Sequence, residues 1–210
     1  SLLLSSLKKI PEAKIALKKI LDLDPRNTDA IKKYANLCLD HTNPSSCKEA
    51  LPTLKVVIES FSEEDSFFPR ICNYIGAAYL YQRKFTKALD YFYKALKSDI
   101  VNSENFFNVG YAHYHLTNYT KAIHYLQQGY EFVKNDPTCL TVLGKSCMEL
   151  NRLSEAMAYF NESRVFFPDN PDNLLAIALL LKKLGKEEAF LHFIKKLEKQ
   201  FPDNADIYNN

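Results

Sequence analysis

Gly76, Gly110 and Gly144 stand 34 residues apart, and each lies in an apolar, tyrosine-rich stretch with no turn signal on either side. Glycine inside a helix costs about 1 kcal/mol relative to alanine. Three at one period therefore predict a neighbouring backbone that comes too close for a side chain to fit. Helix-turn-helix solenoids repeat at the same 34-residue interval, so the chain reads as a stack of similar helical units.

Other residues keep the same period. Twelve residues after each glycine stands Ala88, Ala122 or Ala156, and four further on Phe92, Leu126 or Phe160. A small residue thus faces a large one between helices. Tyr79, His113 and Cys147 follow the glycines by one helical turn on the same face. Thr86, Thr120 and Ser154 lie between the two helices, where a hydroxyl is expected to cap the second. Each unit is thereby read as an antiparallel helix pair.

The segments CNYIGAAY from Cys72, FFNVGYAH from Phe106 and LTVLGKSC from Leu140, with Pro168 and Pro202 closing successive units, resemble the tetratricopeptide repeat family. The resemblance implies an all-α fold, a right-handed α-solenoid of antiparallel helix pairs. It also implies a concave groove, lined by the first helices, that holds a segment of a protein partner.

Extending the frame gives one solenoid domain over 1–210. It comprises a partial repeat 1–27, repeats 28–68, 69–102, 103–136, 137–170 and 171–204, and the start of another at 205–210. In 171–204, Ala178 takes the glycine position and Gly185 the turn, in a hairpin read as one residue short. Repeat 28–68 keeps Tyr34, Ala35 and Cys38 and inserts His41 to Ser45 before a helix beginning near Ser46. There Ser46 and Glu49 match a capping box, and Pro52 is expected to bend the helix. Ser60 to Pro69 is irregular, with Glu63, Glu64 and Asp65 beside Phe67 and Phe68. Ser1 to Lys9 reads as the remnant of a first helix and Ala13 to Pro25 as a second. Both ends cut a unit midway, as expected of a piece of a longer protein.

Charge and composition narrow the function. With 27 basic and 25 acidic residues the net charge is +2, which argues against a surface built to neutralise phosphates, so no nucleic-acid partner is expected. No apolar run is long enough to span a bilayer, so no direct membrane insertion is expected of this segment. Cys38, Cys47, Cys72, Cys139 and Cys147 form no CxxC pair. Cys38, Cys72 and Cys147 fall on packing positions, and an odd number of free thiols suits a reducing, cytoplasmic compartment. His113 and His115 point to opposite sides of a helix, and no phosphate loop, nucleophile elbow or HExxH motif occurs. No catalytic residue, cofactor or metal site is expected.

Counting from the glycines sorts the first helices into faces. Within the groove the expected partner-binding residues are Lys32, Asn36, Asn73, Tyr74, Tyr81, Phe107, Asn108, Tyr111, Tyr114 and His115. The aromatics offer flat apolar contact with hydroxyls for orientation. The amides offer a paired donor and acceptor for a peptide bond. The alternative for any one tyrosine is packing between neighbouring first helices. A carboxylate clamp, as in chaperone-tail readers of the family, is not matched. Lys32 and Asn36 fit its first pair, but Tyr74 replaces an asparagine, and Glu104 and Asn108 replace a lysine and an arginine.

The expected function is that of a non-catalytic scaffold or adaptor binding a peptide or helical segment. The alternatives are a self-assembling subunit that forms homo-oligomers through the solenoid ends, and a regulatory module of an enzyme elsewhere in the parent chain.

Overall fold

The computed structural model describes residues 2–40, 43–97, 103–130 and 136–202. His41 and Thr42 of the insertion, and Ala205 to Asn210 of the last partial repeat, lie outside them. Eleven helices and no strand occur among the described residues: α1 (Leu2–Leu23), α2 (Thr28–Cys38), α3 (Pro44–Glu59), α4 (Phe68–Tyr81), α5 (Phe85–Leu96), α6 (Ser103–His115), α7 (Tyr119–Tyr130), α8 (Pro137–Glu149), α9 (Leu153–Phe166), α10 (Pro171–Lys183) and α11 (Glu187–Gln200). The fold is an all-α solenoid of helix pairs. The chain divides into two compact units, 1–112 and 113–210, with the boundary inside α6.

In the first unit α4 packs most extensively on α5, and α3 on α4. The glycine position explains the first of these contacts. A Cβ placed on Gly76 would lie 2.4 Å from Cε1 of Phe92, whose side chain is fully buried. In the second unit a Cβ on Gly144 would lie 2.3 Å from Cε1 of Phe160. The close neighbour is thus the aromatic ring of the paired helix, not the backbone expected from sequence. Glycine is needed because the ring occupies the space a methyl group would fill.

The turns within the helix pairs repeat to the atom. Arg83, Thr117, Asn151 and Gly185, each 34 residues from the last, adopt left-handed backbone with φ of 59°, 60°, 59° and 71°. The following amides of Lys84, Asn118, Arg152 and Lys186 donate to the carbonyls of Tyr79, His113, Cys147 and Leu181 at 2.8 to 3.0 Å. Arg83, Thr117, Asn151 and Gly185 donate to Leu80, Tyr114, Met148 and Lys182 at 2.8 to 3.1 Å. These two bonds make a Schellman motif, which satisfies the last carbonyls of the first helix.

Thr86, Thr120 and Ser154 are not caps. They are exposed at the second position of α5, α7 and α9. The cap positions of α5 and α9 are Lys84 and Arg152, neither with a side-chain capping bond. The Schellman turn carries the chain straight into the second helix and leaves no place for a hydroxyl before it. The hairpin at Gly185 has full length, since α5, α7, α9 and α11 begin at intervals of 34. Phe190 there takes the position held elsewhere by alanine, and Ile194 the large position.

Three other helices start on side-chain caps. Asn43, Asp136 and Asn170 cap α3, α8 and α10 by accepting from backbone amides of the first turn, and each precedes a proline at the first helical position. Because Asn43 is the cap, Ser46 lies inside α3 and is buried, so the Ser46 and Glu49 capping box is not formed. Its hydroxyl accepts from Lys14 Nζ at 2.5 Å. Pro52 lies within α3. The N-terminal region likewise differs from expectation. Leu2–Leu23 is one continuous helix containing Pro11, with no turn separating Ser1 to Lys9 from Ala13 to Pro25.

The irregular stretch before α4 is closed by Arg26. Its guanidinium donates to the Ser60 carbonyl and to Asp65, both at 2.8 Å, and lies 4.6 Å over the Phe61 ring. Phe61 in turn contacts Phe67, and Phe68 is buried at the start of α4.

Candidate functional site

Within the first unit, the expected groove residues lie on α2, α4 and α6, and the packing separates them into two groups. Tyr74, Tyr81, Phe107 and Tyr111 are half-buried, while Asn36 is exposed. Phe107 and Tyr111, four residues apart on α6, stack with ring centroids 5.8 Å apart at 25°. One face of each ring is thereby held by its neighbour, which fixes the aromatics at little entropic cost. Burial raises the Tyr81 phenol above its ordinary value, and Cys47, Glu104, Tyr111 and Asp40 add to the rise. The phenol therefore keeps its proton and can donate.

Asn73 and Asn108 belong to the second group, at 6% and 9% exposure. Asn73 Nδ2 donates to Asn105 Oδ1, and Asn105 Nδ2 donates to the Ala95 carbonyl at 3.4 Å. The Asn73 donor is engaged between α4 and α6. Its Oδ1 is buried without a hydrogen-bond partner among the described residues. Lys32 is drawn to the side, with its ammonium 3.7 Å from Asp29 and 5.6 Å over the Phe67 ring.

In the second unit, Tyr114 and His115 are half-buried and meet edge to face at 5.3 Å, and Tyr114 also contacts Tyr119 at 6.0 Å. His113 is buried and stacked on Tyr125 at 5.8 Å. Burial lowers its pKa, and the charge of Lys121 lowers it further, so the ring is a neutral core group.

Asn105 was not among the expected residues. A signal for it exists, because Asn105 and Asn173 stand two periods apart. Asn173 repeats the role within the second unit, donating to the Phe160 carbonyl at 2.9 Å, and Cys139, at the intervening position, points its thiol at the Leu126 carbonyl at 3.7 Å. These side chains tie the first helix of one pair to the second helix of the pair before.

All five cysteines are buried free thiols. Burial raises each of them, Cys72 and Cys139 to about 12. Among the described residues no three His, Cys, Asp or Glu side chains converge as a metal site, and no helix is long and apolar enough to cross a membrane.

A family model described as anaphase-promoting complex, cyclosome, subunit 3 matches residues 81–163. No curated protein matches the chain. Among solved structures, PilW, a type IV pilus biogenesis factor, is similar with a TM-score of 0.79 at 18% identity, over 98% of this chain and 92% of its own. PilF of Pseudomonas aeruginosa gives 0.74 at 18%, over 99% and 91%. YrrB, a tetratricopeptide-repeat protein with an unusual peptide-binding site, gives 0.70 at 21%, over 92% and 96%. At these identities the likeness concerns the fold.

Proposed function

We propose, from the premise that the chain has the tetratricopeptide-repeat fold, that it is a non-catalytic scaffold holding an extended or helical segment of a protein partner against α2, α4 and α6 of the first unit. The observation that carries this reading is the set of half-buried aromatics Tyr74, Tyr81, Phe107 and Tyr111 on α4 and α6. Each is anchored by packing yet retains accessible ring surface, the arrangement that lets an aromatic act as an interfacial anchor. The peptide-binding site of YrrB shows that this fold can hold a peptide. Asn36, exposed on α2, supplies an amide for a peptide bond. Asn73 and Asn108 support the surface from beneath. Tyr114 and His115 extend the same helix face by sequence position, and we assign them a secondary role.

The double variant Tyr81→Ala with Tyr111→Ala tests the reading. Truncating two anchors weakens partner binding by roughly 2 kcal/mol or more while far-ultraviolet circular dichroism stays unchanged. Binding at parental strength refutes the assignment.

A second reading is self-association. Ile15, Leu23 and Val56 on α1 and α3 are 58%, 88% and 61% exposed. A mass that rises with concentration in sedimentation and is lost on Leu23→Ser with Val56→Ser supports it. Five buried free thiols are in keeping with a reducing compartment, which we propose is the cytoplasm.

A further inference from the structure

Within the second unit, neighbouring second helices are tied together by side chains in one copy of the repeat and not in the next. Tyr130 on α7 donates its hydroxyl to the Glu162 carboxylate on α9, and Gln127 donates to the Tyr159 hydroxyl at 2.9 Å. One period on, Arg164 and Lys196 take the places of Tyr130 and Glu162, and Phe193, which has no hydroxyl, takes that of Tyr159. Both ties are thereby lost between α9 and α11. Arg164 and Lys196 are exposed, and among the described residues neither has an ion-pair or hydrogen-bond partner for its charge.

A cleft of about 370 Å³ lies among α9, α10 and α11, lined by Arg164 and Lys196. Buried Leu174 and Leu197 and partly buried Phe193 form its apolar part. Asp169 lines it as well and accepts from Gln200 at 2.8 Å, so two cations stand against one carboxylate. The ties of the preceding copy show that positions 32 apart on neighbouring second helices come within hydrogen-bonding reach of each other. Two cations at such positions repel. A carboxylate between them accepts charge-assisted hydrogen bonds from both. A small inorganic anion would satisfy the charges but leave the Phe193 face uncovered, whereas a ligand with an apolar group beside its carboxylate fills both parts of the cleft.

We propose that this cleft is a second binding site, for an acidic segment of a protein partner, in which an aspartate or glutamate bridges Arg164 and Lys196 and an adjacent large apolar side chain rests on Phe193 and Leu174. The site lies in the second unit and does not depend on the groove on α4 and α6. Asp169 opposes a second carboxylate in the same cleft, which limits the segment to one acidic anchor. At exposed cations of this kind the attraction weakens as salt rises.

The test pans a random peptide library displayed on phage against the whole chain and titrates the selected peptides by fluorescence anisotropy. The site predicts peptides with an acidic residue next to a large apolar one. Arg164→Gln with Lys196→Gln should weaken their binding about 2- to 30-fold, the range for two exposed ion pairs, while Tyr81→Ala with Tyr111→Ala should leave it unchanged. Lys196→Glu should weaken it further and yet keep the unfolding midpoint at or above that of the parent, because a carboxylate then faces Arg164 as Glu162 faces Tyr130. A lowered midpoint contradicts the facing of the two side chains and overturns the site. A selection without acidic peptides, or acidic peptides bound equally by the double glutamine variant, overturns the proposal. Acidic peptides lost only on Tyr81→Ala with Tyr111→Ala belong to the groove and overturn it too. Self-association of the parent that the double glutamine variant lacks overturns the peptide in favour of a second copy of the chain.

Discussion

Replacing Gly144 with alanine places a methyl carbon 2.3 Å from Cε1 and 2.5 Å from Cδ1 of Phe160. Ordinary contact begins near 3.4 Å, so the ring has to retreat by roughly 1 Å. Phe160 is fully buried and Ala156, one turn away on α9, is too, which leaves the ring nowhere to go without displacing a helix. Overpacking of this kind costs about 1–3 kcal/mol, and here the upper part of the range applies. Alanine returns about 1 kcal/mol of helix propensity. The net expectation is a loss of about 1–2 kcal/mol, read as a lower midpoint in urea unfolding followed by circular dichroism. Phe160→Leu alone leaves a cavity and is destabilising by a similar amount. In the double variant the new methyl fills that space, so the two changes should couple favourably by about 1 kcal/mol or more. The pair at α10 and α11 already carries a swap of this sort, with Ala178 fully buried in the cluster against which Ile194 packs. A Gly144→Ala variant as stable as the parent, or strict additivity in the cycle, refutes the reasoning.

Three further outcomes are expected. Thr117 is a β-branched residue at φ 60°, so Thr117→Gly should stabilise the turn by about 1 kcal/mol, seen as a raised unfolding midpoint; Asn151→Gly should gain less. Asn105→Leu removes the acceptor of Asn73 Nδ2 and should destabilise by about 1–3 kcal/mol, whereas adding Asn73→Leu should recover part of the loss, because the stranded amide is then gone. His113 has a lowered pKa in the folded chain. Its contribution is therefore present above the ordinary value of 6.5 and falls away as pH drops below it toward the folded value. His113→Phe should flatten that part of the stability profile, measured as unfolding midpoint against pH.

The spacing of Gly76, Gly110 and Gly144 made the helix-pair architecture legible because a 34-residue period leaves few ways to bury each helix face. Its cause was not legible. A glycine reports lack of space, and only coordinates distinguish the ring of Phe92 from a backbone. The left-handed turns were visible at Gly185 alone, since Arg83, Thr117 and Asn151 carry no glycine and the strain is offset by two hydrogen bonds repeated in every copy. That repeated turn also displaced Thr86 and Ser154 from the capping role their hydroxyls suggested. On the site, helical counting put Tyr74, Tyr81, Phe107 and Tyr111, all half-buried, on one expected face, but could not show that Asn73 is buried. Its position depends on how closely the next first helix approaches, and the partner that fixes it, Asn105, lies 32 residues away.

The groove on α4 and α6 is best probed by backbone amide hydrogen exchange on the chain with and without a binding peptide selected from a random displayed library. Slowed exchange is expected along α4 from Tyr74 to Tyr81 and along α6 from Glu104 to Tyr111, with α3 and α5 unchanged. Protection confined to α3 and α5, with none on α4 and α6, would contradict it.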